Sequence, residues 1–166
     1  AKLKAEKVGV IVTTLNDFQV IALIQALRAV DHASVRVLGG DTLKTTELLK
    51  ADGMIQGIFT TSPILDPKEF AAGPAFLEKY QNTFKIPVTY GAHYTYDSMH
   101  MLASAMQVAR SVKPRDIAAA LRSLDSFAPV TRYMKWEKSG EQRYGAVGVY
   151  EVLRGRWESR IRSDNW

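Results

Sequence analysis

The chain contains no cysteine. That excludes disulfides, thiolate zinc sites, iron–sulfur ligation and cysteine nucleophiles, and it leaves the compartment open, because an exported protein can do without disulfides. Long apolar runs are also missing. No stretch approaches the ~18 residues of a membrane span, and the N-terminal residues form no hydrophobic signal core. The common catalytic fingerprints are absent as well: there is no P-loop, GxGxxG, HExxH or GxSxG. Lys138-Ser139-Gly140 is like one element of the penicillin-binding enzymes, but the Ser-x-x-Lys nucleophile motif that must accompany it is nowhere in the chain. With no paired acid and base in an identifiable motif, an enzyme is not expected.

What is present is globular. The 166 residues are long enough to bury a core, and 46% hydrophobic, 23% charged and 10% aromatic residues sit near the averages for a folded domain. The net charge is +5. The excess is split between the ends, with Lys2, Lys4 and Lys7 opening the chain and Arg154, Arg156, Arg160 and Arg162 closing it. Neither group interleaves with a nucleic-acid motif, so it reads as solvated surface charge.

The order of elements points to an α/β protein. Val8 to Val12 is an apolar run with the pattern of a strand buried on both faces, followed by a helical stretch in which Val20, Leu23, Ile24, Leu27 and Val30 recur at helical spacing. Val35 to Leu38 reads as a second strand, Thr42 to Lys50 as a second helix, and Met54 to Thr61 as a third strand. Strand, helix, strand, helix is the grammar of a parallel sheet. A helical middle follows, with Phe76, Tyr80 and Phe84 predicted as core, Pro74 and Pro114 in first turns, and a helix from Asp97 to Val112. From Thr131 onward turns at Lys138-Ser139-Gly140 and Arg154-Gly155 predict a β meander.

Two places carry candidate chemistry. His93, Asp97 and His100 fall at i, i+4 and i+7, a spacing that can ligate a metal, although Asp97 is equally placed to start a helix; no metal site is assigned. The ends of the first two strands are the better candidate, because ligands of open α/β sheets bind outside the carboxyl ends of strands. Thr14 and Asn16 follow the first strand, and Gly39-Gly40-Asp41 follows the second. By spacing alone, Asp41 pairs with a cationic ligand group or caps a helix start, and both readings stay open.

The middle of the chain adds a resemblance. Phe76-x3-Tyr80-x3-Phe84-x2-Pro87-x2-Tyr90, then Tyr94-Thr95-Tyr96-Asp97 opening a helix, resembles the periplasmic branched-chain amino-acid binding proteins, the type I solute receptors of ABC importers. Trp136-Glu137-Lys138-Ser139-Gly140-Glu141 resembles the family's F-D-x-x-G-D turn, and Val149 to Val152 with Gly155-Arg156-Trp157 its closing hairpin. The resemblance covers nearly the whole chain but only the C-terminal half of the family, whose members are much longer and hold a ligand in a cleft between a pair of α/β lobes.

The resemblance implies an open parallel sheet with flanking helices, closed by a C-terminal hairpin. It divides the chain into a second-lobe α/β segment (1–62), a mainly helical first-lobe segment (63–128) and a β-rich C-terminal crossover segment (129–166). It implies a solute-binding component that takes a branched-chain or related amino acid without chemistry and without a cofactor, works with a membrane permease, and is exported to the periplasm after its signal is removed. In this family an acidic residue after the second of these strands takes the ligand's α-ammonium, and Asp41 falls there, with Asn16, Thr14, Gly40 and Tyr96 as further ligand-binding candidates. Asn16 stands where branched-chain binders carry an aromatic ring, which favours a polar or differently shaped ligand. A ligand-sensing domain of a receptor or regulator with the same fold is the alternative. A chain shorter than its family is also expected to expose apolar surface that favours self-association.

Overall fold

Short β-branched runs bounded by glycine and threonine become strands, and the amphipathic stretches between them become helices. In the computed structural model, which describes residues 2–51 and 53–164, the order is α1 (Lys2–Ala5), β1 (Val10–Thr13), α2 (Asp17–Ala29), β2 (Arg36–Gly39), a 3-10 turn (Asp41–Leu43), α3 (Thr46–Leu49), β3 (Phe59–Ser62), a second 3-10 turn (Pro67–Glu69), α4 (Gly73–Phe84), α5 (Ala92–Ala109), α6 (Pro114–Ser123), β4 (Ser126–Ala128), β5 (Arg132–Met134), β6 (Gly148–Leu153) and β7 (Arg156–Arg162). No helix among the described residues is long and apolar enough to cross a membrane.

The chain forms two compact units. The first joins the residues up to Pro63 with those from Ala146 onward. Its five-stranded sheet runs β1-β2-β3-β6-β7. The first three strands are parallel, with Thr13 opposite Gly39 and Gly39 opposite Thr60. β6 then runs antiparallel to β3, with Ser62 opposite Gly148, and β7 returns along β6. Arg154 and Gly155 turn that hairpin, both at positive φ (52° and 73°), the geometry a two-residue loop needs to match strand twist.

One face of this sheet carries the core. Val20 and Ile24 of α2, Leu48 of α3, Val37, Leu43, Ile55, Ile58 and Val152 form a continuous apolar cluster, with Trp157 against its edge. Val20, Leu43, Leu48, Ile55 and Val152 are fully excluded from solvent, and each such side chain contributes about 1.5–3 kcal/mol by leaving water. Gly39 lets Leu43 in: a Cβ there would lie 2.1 Å from Leu43 Cδ1.

Three expectations for this unit need correction. The Val8 to Val12 run is not buried on both faces, since α2 and α3 pack on one side only and Val10 and Val12 remain 57% and 75% exposed. Thr42 to Lys50 is not one helix. Thr45 breaks it, because its hydroxyl accepts the Leu48 N–H at 3.0 Å and so caps a new start at Thr46. Of Met54 to Thr61 only the end is strand, because Gly53 and Gly57 at positive φ wind the preceding residues into turns.

The second unit spans Ile64–Gly145. α5 and α6 share a small core of Ala105, Ile117 and Ala120, while Met101, Ala128 and Met134 form another with Tyr94, Leu121 and Trp136. Pro74 and Pro114 occupy first turns as expected. α5 begins at Ala92, five residues before the expected start, so His93 lies inside the helix and Asp97 is buried within it. Its carboxylate accepts the Val130 N–H (2.9 Å), the Thr131 N–H (2.7 Å) and the Thr131 hydroxyl (2.7 Å), which fastens the start of β5 to the helix. β4 and β5 form their own two-stranded ribbon, while β6 and β7 belong to the five-stranded sheet of the first unit, so the β-rich end is not one meander. Phe84 is 58% exposed and is not core, although its ring lies 4.7 Å from that of Tyr80.

Candidate functional site

The carboxyl ends of β1, β2 and β3 lie side by side in the first unit, and the loops that leave them are tied together by short polar bonds. The Gly40 N–H donates to the Thr13 carbonyl at 3.2 Å, and the Thr60 hydroxyl donates to the Gly40 carbonyl. Gly40 therefore uses both of its backbone groups to join the ends of the outer two parallel strands. One loop further out, the Thr42 hydroxyl donates to the Leu15 carbonyl at 3.1 Å. The Thr45 hydroxyl reaches Asp17 Oδ2 at 2.8 Å, which fixes the first turn of α2 against the start of α3. Trp157 closes this set by donating its indole N–H to the Thr45 carbonyl at 3.1 Å.

On this frame sit Thr14, Asn16, Gly40 and Asp41. Thr14, Asn16 and Asp41 are exposed and Gly40 is half-buried. Asn16 is the residue from which α2 starts: its carbonyl accepts the first helical N–H groups, from Gln19 at 3.1 Å and Val20 at 3.0 Å, and its own N–H donates to the Gln19 side chain at 3.0 Å. Asp41 is the first residue of the 3-10 turn, and the cap position is Gly40. Among the described residues no hydrogen bond or ion pair engages the Asp41 carboxylate, so the capping alternative does not describe it. An exposed carboxylate and an exposed amide, held on loops whose backbones are pinned, can meet a polar ligand with little reordering.

Tyr96 belongs to the second unit, on α5. Its ring packs 5.5 Å from Phe76 and 4.6 Å from His100, in a cluster where Phe70 and Phe76 also surround His93. His93 is 1% exposed. The spacing of His93, Asp97 and His100 does not make a metal site: Asp97 spends its oxygens on Val130 and Thr131, and among the described residues no group of three or more His, Asp or Glu side chains is gathered to hold an ion.

Sequence reasoning missed the residues that hold the loops, Asp17, Thr42, Thr45 and Thr60. The signal was there in part. Hydroxyl residues cluster immediately after Gly39-Gly40 and at the end of β3, which is where loop carbonyls need donors.

Comparison with known proteins bears on the family and the fold. A family model described as periplasmic binding protein matches residues 1–156. No curated protein sequence matches the chain. Among solved structures, the leucine binding protein LivK of Thermotoga maritima superimposes with a TM-score of 0.77 at 18% identity, over 93% of this chain and 44% of that one. A solute binding protein of an ABC transporter from R. palustris, in complex with benzoate, gives 0.75 at 15% identity, over 97% and 44%. The branched-chain amino acid transporter substrate binding protein LivJ of Streptococcus pneumoniae, in complex with isoleucine, gives 0.73 at 18%, over 93% and 43%. The likeness is one of fold, and the chain spans less than half the length of each of these structures.

Proposed function

The chain belongs to the periplasmic binding protein family, and from that membership we propose that it is a solute-binding module of an ABC importer, which takes an amino acid or a related small carboxylate and performs no chemistry on it. The observation that carries this reading is the exposed Asp41 carboxylate at the carboxyl ends of parallel strands, on a loop fixed by Gly40, Thr42 and Thr60. An α-ammonium offers three donors and a positive charge, and a carboxylate on a fixed loop answers both. Asn16 and Thr14 add an amide and a hydroxyl from the neighbouring loop, and Gly40 leaves room beside them, since a Cβ there would meet nothing within 4 Å.

In this proposal residues 1–62 belong to one lobe, the helical segment 63–128 to the other, and 129–166 returns the chain between them. The partners are a permease of the importer and the solute itself, and the working location is outside the cytoplasmic membrane. Isothermal titration of the chain with a panel of amino acids tests it. The expected result is a saturable ligand whose affinity falls by more than about tenfold, ~1.4 kcal/mol or more, in Asp41→Ala. Equal affinity in the variant removes Asp41 from the site.

A further inference from the structure

The second unit holds a concavity of its own, of about 200 Å³, lined among the described residues by Ala118, Leu121 and Arg122 of α6 and by Trp136 and Gly140 from the chain after β5. Ala118, Leu121 and Arg122 share one face of α6 because they stand three and four positions apart. Trp136 is half-buried and packs, with Leu121, on the cluster of Met101, Ala128 and Met134, so the apolar part of the lining is anchored to a core. The turn that carries Gly140 is tied by its backbone. Trp136 bridges Gln142, the Glu137 N–H donates to the Glu141 carbonyl and the Gly140 N–H to the Glu137 carbonyl, both at 2.9 Å. A Cβ at Gly140 would meet nothing within 4 Å, which leaves space at that point of the lining. The charge in the described lining is of one sign. Arg122 is exposed, one of its N–H groups reaches the Ala118 carbonyl of its own helix at 3.3 Å, and among the described residues no carboxylate pairs with it. The acidic side chains nearby in sequence are engaged elsewhere: Asp125 with Lys135 at 3.1 Å, Glu137 with Arg143, and Glu141 with the Ser139 hydroxyl at 3.0 Å.

We propose that this cavity is a binding site for a small aromatic carboxylate, with the ring against Trp136 and Leu121 and the carboxylate on Arg122. The inference uses no residue of the strand-end site and does not rest on the solute-binding reading. An apolar lining with a single convergent polar group is the usual make-up of a small-molecule site, and about 200 Å³ suits one ring with a short acid arm rather than a larger ligand. Aromatic rings gain from each other beyond the area they bury. A guanidinium offers a carboxylate parallel N–H donors, and such charged bonds are about twice as strong as neutral ones. A neutral ligand of the same shape keeps the ring contact and loses the charged one, so the preference for the acid is the signature of Arg122.

The test is a fluorescence titration of the full chain with phenylacetate and with phenylacetamide, its neutral counterpart, read from Trp136 in a variant with the other tryptophans replaced. Phenylacetate should change the signal saturably and bind at least about tenfold more tightly than phenylacetamide. Added to that background, Arg122→Met should bring the ratio to about one by weakening the acid alone, and Arg122→Lys should keep part of it, because an ammonium pairs with a carboxylate without the fork. Ala118→Met, which fills the cavity from α6, should abolish binding of both ligands, with circular dichroism to show that each variant is folded. No saturable change with phenylacetate overturns the inference. A ratio unchanged in Arg122→Met, or binding unchanged in a folded Ala118→Met, overturns it as well. Trp157, in the matching variant, reports on the first unit and should stay constant; a change there at the same ligand concentrations with Trp136 silent places the ligand elsewhere and overturns the site.

Discussion

The two units of the chain are held together by different means. The first has one continuous apolar cluster reaching from α2 through β2, α3 and the residues before β3 to β6. The second has two small clusters and depends on a buried carboxylate, Asp97, to attach its β ribbon to its longest helix. An apolar core spreads its stabilisation over many contacts, so one truncation leaves most of it intact. A polar staple concentrates it: the Val130 donor is buried with the carboxylate and the two Thr131 donors are half-buried, so removing the acceptor leaves them unpaired and largely out of water.

That contrast can be broken most directly at Asp97. Asp97→Ala leaves the Val130 and Thr131 donors without their acceptor and should destabilise the second unit by about 4 kcal/mol. The fluorescence of Trp136 under urea, in a variant with the other tryptophans replaced, should shift its midpoint, while Trp157 in the matching variant should not follow it. Coincident shifts in the two reporters would show that the units unfold as one. Next in size is Leu43→Ala, which opens a cavity in the apolar cluster of the first unit and should cost about 3 kcal/mol on the Trp157 signal. The smallest effect expected is from Thr45→Val. It removes the cap of α3 and the bond to Asp17 while keeping the shape, and about 1 kcal/mol is expected in chemical denaturation. If Thr45→Val costs more than Leu43→Ala, the first unit too is governed by its polar ties.

The alternation of strand and helix in the first unit, and the loops of the candidate site at its strand ends, were legible in the sequence because both follow from local spacing. Glycine and threonine end β1 and β2, helical periodicity resumes at once, and the rule that ligands bind beyond the carboxyl ends of strands then selects the loops containing Asn16 and Asp41. What was not legible depended on distant partners. Nothing near Thr45 says that its hydroxyl will cap Leu48 and reach Asp17, 28 residues away. Asp97 was read as a helix start because its acceptors' partners, Val130 and Thr131, lie more than thirty positions along the chain. Phe84 repeats at the spacing of a core residue and yet is exposed, since period shows which residues share a face and not what covers it. Val10 and Val12 fail in the same way: β-branched residues report strand, and the covering of each face is decided elsewhere.

The pairing of β3 with β6 has a kinetic consequence. Ser62 and Gly148 are neighbours in the sheet, but the whole second unit, Ile64–Gly145, is threaded between them. If that stretch is still a random coil, closing it costs on the order of 4 kcal/mol in chain entropy. The β6–β7 hairpin needs no such closure and pairs locally on the microsecond scale, although an isolated two-stranded hairpin is only marginally stable until it docks. Collapse of the intervening helices shortens the effective loop before the edge docks. Chain entropy therefore favours condensation of the inserted segment before the first sheet acquires its last two strands, an order that pulse-labelling hydrogen exchange would check by early protection in α5 and late protection in β3.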